Sequence, residues 1–148
     1  MTIAFRHGAV ITEIGIDVVL HSLLSTVAVR LEGGEWGAHF PLIMIKLCQG
    51  RLDASEADAA LQELRQIQAG LARLEPDKVI WDFNDLSRQP PWGEAVAPRI
   101  ISMANYHTTN TGQCLLDEMF DCVRSLQRTG GVLDIITLEG VGPFYYVT

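Results

Sequence analysis

The chain has 148 residues, 48% of them hydrophobic and 20% charged, a balance that suits one folded domain and excludes disorder. Its 18 acidic and 11 basic side chains leave a net charge of −7, the wrong sign for a protein that grips nucleic-acid phosphates. No apolar run reaches the ~20 residues that span a bilayer, and no basic stretch with a cleavage site marks a secretion signal, so a cytoplasmic location is expected.

Residues 2–14 alternate loosely around Gly8 and read as one strand or a short hairpin. Ile16, Val19, Leu20, Leu23, Leu24, Val27 and Leu31 repeat at helical spacing, and Gly33-Gly34 stops that helix. Its apolar stripe is broad, so it is expected to lie buried against a sheet. The apolar run from Phe40 to Leu47 has the length of a short buried helix or a strand, and Pro41 in the first turn favours the helix.

Residues 55–74 form the clearest element. Asp53 or Ser55 caps its start. Ala57, Ala60, Leu61, Leu64, Ile67, Leu71 and Leu74 face inward, while Glu56, Asp58, Gln62, Glu63, Arg65, Gln66 and Arg73 face outward. Gly70 weakens the helix by up to ~1 kcal/mol relative to alanine, and Pro76 bars its continuation.

A short strand is expected at 78–82, followed by a proline-stiffened loop to about Pro98 and a strand or irregular segment over Arg99–Met103. The last helix is expected to start near Asn110 or Thr111, because Asn110 and Gln113 have the spacing of a capping box. Leu116, Met119, Phe120, Val123 and Leu126 form its buried face and Gly130-Gly131 end it. Val132–Leu138 reads as a closing strand, and the aromatic tail 140–148 as an added edge strand, a dimer edge or a partner contact. The fold class is therefore α+β: one domain over 1–148, three to four helices on a small, mainly antiparallel sheet.

The chemistry is sparse. His7, His21, His39 and His107 lack the i, i+4 spacing of a zinc pair, and Cys48, Cys114 and Cys122 have no paired spacing, so they read as reduced, mostly buried thiols. Neither a cofactor nor a metal is expected. Pro76-Asp77 opens like half of a nuclease motif, yet no acidic-x-Lys follows. Gly33-Gly34-Glu35-Trp36-Gly37 lacks the Gly-Lys-Ser/Thr of a phosphate loop.

The loop holds the most information. Asp82, Asp85 and Glu94 lie close to Trp81 and Trp92. On one reading Asp82 and Asp85 cap nearby amides and Trp81 is core. On the other, these carboxylates meet lysines or arginines of a partner and Trp92 anchors the contact. Asp53, Glu56 and Asp58 form a second acidic cluster. Two further readings stay open: a small metal-dependent hydrolase built on Asp82 and Asp85, and a ligand-binding module lined by Trp36, Trp81 and Trp92.

The run Asp77-Lys78-Val79-Ile80-Trp81-Asp82, continuing through Asp85-Leu86-Ser87 and Gln89-Pro90-Pro91-Trp92-Gly93, resembles the immunity protein 70 family of bacterial polymorphic-toxin systems. Gly34-x-Trp36-Gly37 with Phe40-Pro41, Gln49-Gly50-Arg51-Leu52 and Asn105-Tyr106 add to the likeness, which covers about residues 15–138. The chain departs from the family pattern at His107-Thr108-Thr109-Asn110 and in the tail from Val141. The resemblance implies an antidote without catalytic residues. A cell makes such a protein to block the toxic C-terminal domain that its kin deliver by contact-dependent growth inhibition. The charge of −7 would complement a basic toxin such as a nuclease. Direct contact with nucleic acid or membrane is not expected.

Overall fold

Four antiparallel strands set the frame, in the order β2–β1–β4–β3. β1 (Thr2–His7) and β2 (Val10–Ile16) form the hairpin around Gly8, whose φ of +60° suits the tight turn. β4 (Val132–Thr137) pairs with β1, placing Phe5 opposite Ile135. The three-residue β3 (Arg51–Asp53) completes the other edge. The computed structural model describes residues 1–138, so the tail expected to add an edge or a contact lies outside the described residues.

Alternation along the strands gives the sheet two unlike faces. Ile3, Phe5, Leu52, Leu133 and Ile135 enter the core. On the opposite face Arg6 donates two hydrogen bonds to Asp134, at 3.0 and 2.6 Å, a bidentate pair. The pair raises the Arg6 pKa, chiefly through the hydrogen bonds.

Three α-helices pack onto this frame: α1 (Asp17–Leu31), α2 (Ala57–Ala72) and α3 (Leu115–Thr129). α2 lies against α3, which contacts β1 and β4. The expected inward stripe of α2 is buried from Ala57 to Leu71. A Cβ at Gly70 would sit 2.7 Å from Leu31 Cδ2, so the glycine lets the end of α1 approach. Asp53 and Glu56 make the capping box before α2, and the Asp53 N–H donates to Glu56 Oε1 at 2.9 Å. The segment after Pro41 is helical, as expected, and widens to i→i+5 geometry over Leu42–Leu47. Glu63, expected to face outward, instead accepts the Leu42 and Ile43 N–H groups at 3.2 and 2.9 Å. Burial raises its pKa, partly offset by those two bonds.

Three expectations are corrected. The strand expected at 78–82 does not form: Pro76–Lys78 make a single 3-10 turn, and Val79–Asp82 after it pair with no strand, Ile80 being bonded instead by side chains of α1. The last helix starts at Leu115, not near Asn110 or Thr111. The Asn110 N–H donates to Ile14 O at 2.9 Å and its side chain to Glu13, so it ties the loop to β2 rather than capping a helix. β3, in addition, is a strand not among the expected elements.

Candidate functional site

The site begins on α1. Ser22, Ser25 and Thr26 are fully buried there among apolar neighbours. Their hydroxyls hold the segment that follows the 3-10 turn Pro76–Lys78. The Ile80 N–H donates to Thr26 Oγ1 at 3.0 Å, Ser22 Oγ donates to Ile80 O at 2.9 Å, and the Phe83 N–H donates to Ser25 Oγ at 3.0 Å. Arg30 Nε donates to Lys78 O at 3.0 Å. A buried backbone needs partners, and here helix side chains replace a neighbouring strand.

Beyond Phe83 the chain turns back on itself. Asp82 accepts from the Asn84 N–H at 2.9 Å and from Arg88 Nη1 at 2.9 Å, and it lies 3.2 Å from His21 Nε2. Burial alone would raise its pKa, but the Asn84, His21 and Arg88 contacts outweigh that and lower it. Asp85 accepts from the Ser87 N–H at 3.1 Å and the Ser87 hydroxyl at 2.6 Å. Both carboxylates therefore shape the loop, the role that the first of the two readings gives them. Glu94 stands exposed near the far end of the loop.

The tryptophans divide into two groups. Trp81 is buried and Trp92 packs on it edge to face, ring centroids 5.3 Å apart. The Trp92 indole N–H donates to the Tyr106 hydroxyl at 2.8 Å, yet 47% of the residue stays exposed. Burial raises the Tyr106 pKa, and the bond from Trp92 partly offsets this. Trp36 belongs elsewhere: it meets Phe83 at 5.3 Å and His21 at 6.0 Å and donates to Met44 O.

The second acidic cluster is also used locally. Glu56 pairs with Lys46 and closes the capping box, and the Lys46 bond is the main cause of its lowered pKa. Asp58 accepts from Gln127, and Asp53 lies 4.0 Å from Arg51. Among the described residues, no group of three or more histidines, cysteines, aspartates and glutamates could hold a metal. The three cysteines are free thiols, and burial raises the pKa of each.

Two buried groups carry weight that spacing alone did not reveal. Glu32 accepts the N–H groups of Gly37, His39 and Phe40 at 3.0, 2.9 and 3.0 Å, fixing the glycine-rich turn after α1. His107 is 4% exposed and its Nε2 lies 2.9 Å from Ser22 Oγ. The distance is that of a Ser–His dyad, but the Ser22 proton is directed to Ile80 O, which assigns the ring proton to Nε2. The imidazole thus donates to the serine and does not activate it. Its Nδ1 is buried without a hydrogen-bond partner, and burial lowers the His107 pKa to about 3.

Fold and site together define a small α+β domain that presents an aromatic, carboxylate-bearing loop on a rigid scaffold. The chain belongs to the immunity protein 70 family, whose model matches residues 5–135. That span takes in the loop and both acidic clusters. Neither the curated proteins nor the solved structures contain a match to the chain. No helix among the described residues is long and apolar enough to cross a membrane.

Proposed function

We propose that the protein binds the cognate toxin domain delivered by neighbouring cells and blocks it by direct contact in the cytoplasm of the cell that makes it. Membership of an immunity-protein family supports the antidote role in general. The observation that carries the direct-contact reading is the loop. Leu86, Trp92 and Ile101 are exposed large apolar residues on one irregular segment fastened to α1. Large exposed apolar groups rimmed by polar ones mark interaction surfaces.

The contact set is Trp92 as anchor with Asp85 and Glu94 beside it, and Asp82 as the residue that holds the loop in shape. Asp53, Glu56 and Asp58 at the start of α2 form an additional acidic surface. The net charge of −7 favours a basic toxin, of which a nuclease is the leading case. A non-enzymatic role is supported by the side-chain assignments: Asp82 and Asp85 are occupied by local donors, and Ser22 accepts a hydrogen bond from His107 while its own hydroxyl donates to Ile80 O.

The test is co-expression. Where a secreted protein is encoded beside this chain, its C-terminal domain is induced in cells with and without the chain, and survivors are counted. Protection is expected from the intact chain and loss of protection from Trp92→Ala. Equal killing in both strains rejects the antidote reading for that domain. Turnover of a substrate by the purified chain rejects the non-enzymatic part.

A further inference from the structure

Two cavities meet behind the loop. The first, about 270 Å³, is walled by Val19 of α1 and by Trp92, Val96, Ile100, Tyr106 and His107. The second, about 360 Å³, carries the carboxylates of Glu75, Asp77 and Glu94. Val96 and Tyr106 line both, so a shared wall divides an apolar chamber from an acidic one.

Size decides what class of group the apolar chamber takes. An apolar cavity of ~150 Å³ holds a benzene, and pockets for drug-sized ligands begin at ~300 Å³. The chamber falls between, with room for one large side chain rather than a nucleotide or cofactor. The acidic chamber differs from every other carboxylate group described above. Asp82, Asp85, Glu56 and Asp58 are engaged by local donors, whereas Glu75, Asp77 and Glu94 are exposed and form no ion pair among the described residues.

We infer that the two chambers form a bipartite anchor. The apolar one receives an aromatic or large aliphatic side chain of the toxin domain, and the acidic one receives a neighbouring lysine or arginine. The inference rests on the antidote reading above and names the chemistry of its partner. Charge complementarity selects the occupant: a carboxylate-lined chamber beside an apolar one rejects an acidic or purely apolar segment. The walls are formed in advance, because the Trp92–Tyr106 hydrogen bond and the edge-to-face packing of Trp92 on Trp81 fix the divider's neighbours before binding.

The purified toxin domain used in the co-expression test serves as probe, and binding is measured by calorimetry and association kinetics. Ala97 lines the apolar chamber from the exposed loop, so Ala97→Phe fills it without touching the core. Ala95→Phe fills it from another position, and a thermal melt of each variant checks folding. Both are expected to raise Kd at least about 30-fold, the scale of losing a hot-spot anchor. The triple change Glu75→Gln, Asp77→Asn, Glu94→Gln is expected to raise Kd about tenfold at low salt, mainly through slower association. Asp121→Asn, on α3 and lining neither chamber, is the control and should bind as the unchanged chain does. Folded filling variants that bind within about twofold of the original overturn the inference while leaving the antidote reading intact. Absence of binding by the unchanged chain overturns both. A chain that self-associates, and loses that association with Ala97→Phe but keeps toxin affinity, assigns the groove to a second copy and overturns the inference.

Discussion

The sheet and the loop satisfy the same backbone groups in opposite ways. In β1 and β4 the N–H and C=O groups bond to other backbone groups, and the side chains on one face, among them Ile3, Phe5, Leu133 and Ile135, are core. Within residues 78–83, Lys78 O, both backbone groups of Ile80 and the Phe83 N–H bond instead to Arg30, Thr26, Ser22 and Ser25, one side chain at a time. A ladder is lost only with the core behind it. A side-chain tether breaks at a single substitution, so the recognition surface can loosen while the scaffold stays folded. The difference teaches where stability and function separate in this molecule, and three perturbations test it.

The largest effect belongs to the scaffold. Leu64 on α2 is fully buried, and Leu64→Ala is expected to cost ~2–5 kcal/mol by lost burial and cavity formation. Urea unfolding followed by far-UV circular dichroism and by tryptophan fluorescence should shift together, because core loss frees the loop as well. A cost under about 1 kcal/mol would deny the helices and sheet their place as the cooperative unit.

Next comes acid. His107 is held neutral by burial, with a folded pKa of about 3 against an ordinary value near 6.5. Between those values the unfolded chain binds a proton that the folded chain refuses. Stability is therefore complete above pH ~6.5 and falls as pH drops towards ~3, at about 1.4 kcal/mol per pH unit for this one group. Asp82 acts in the same direction, but only below its unfolded pKa of ~3.8, so its contribution does not enter between pH 7 and 5. Urea titrations at pH 7, 6 and 5 should show the slope, and His107→Gln should flatten it. An equal slope in the variant would mean that other groups govern the loss.

Most of the scaffold was legible because its signals are local. The inward stripe of α2, its Asp53 cap and the hairpin around Gly8 all follow from spacing within a few residues. The errors share one cause, a partner distant in sequence. Val79-Ile80-Trp81 has strand composition, but its hydrogen bonds run to Ser22 and Thr26 over fifty residues earlier. The sign was present in α1, where hydroxyl residues lie within an apolar run as if interrupting it. Asn110 and Gln113 match a cap in spacing, while Ile14 and Glu13 claim the asparagine. At the candidate site the local roles of Asp82 and Asp85 could be read from their turn positions. The importance of His107 could not, because nothing near it in the chain announces Ser22.

Thr26→Val gives the smallest and most selective perturbation. Valine keeps the shape and β-branching of threonine, so α1 and its packing should survive. What disappears is one hydroxyl that accepts the Ile80 N–H and donates to Ser22 O at 2.9 Å. An unsatisfied buried donor costs ~1–3 kcal/mol, and because Ile80 is only half-buried, water recovers part of it, which places the cost near the lower bound. The scaffold's urea midpoint should therefore move less than with Leu64→Ala. The loop should answer more sharply. Amide exchange at Ile80 and Phe83 should quicken while Phe5 and Ile135 in the sheet keep their protection, and trypsin should cut sooner at Arg88 and Arg99. Toxin affinity should fall as well, since binding must then order a segment that Thr26 had already ordered. If Ile80 and the sheet amides lose protection by the same amount, tether and ladder form one cooperative unit and the contrast between them disappears.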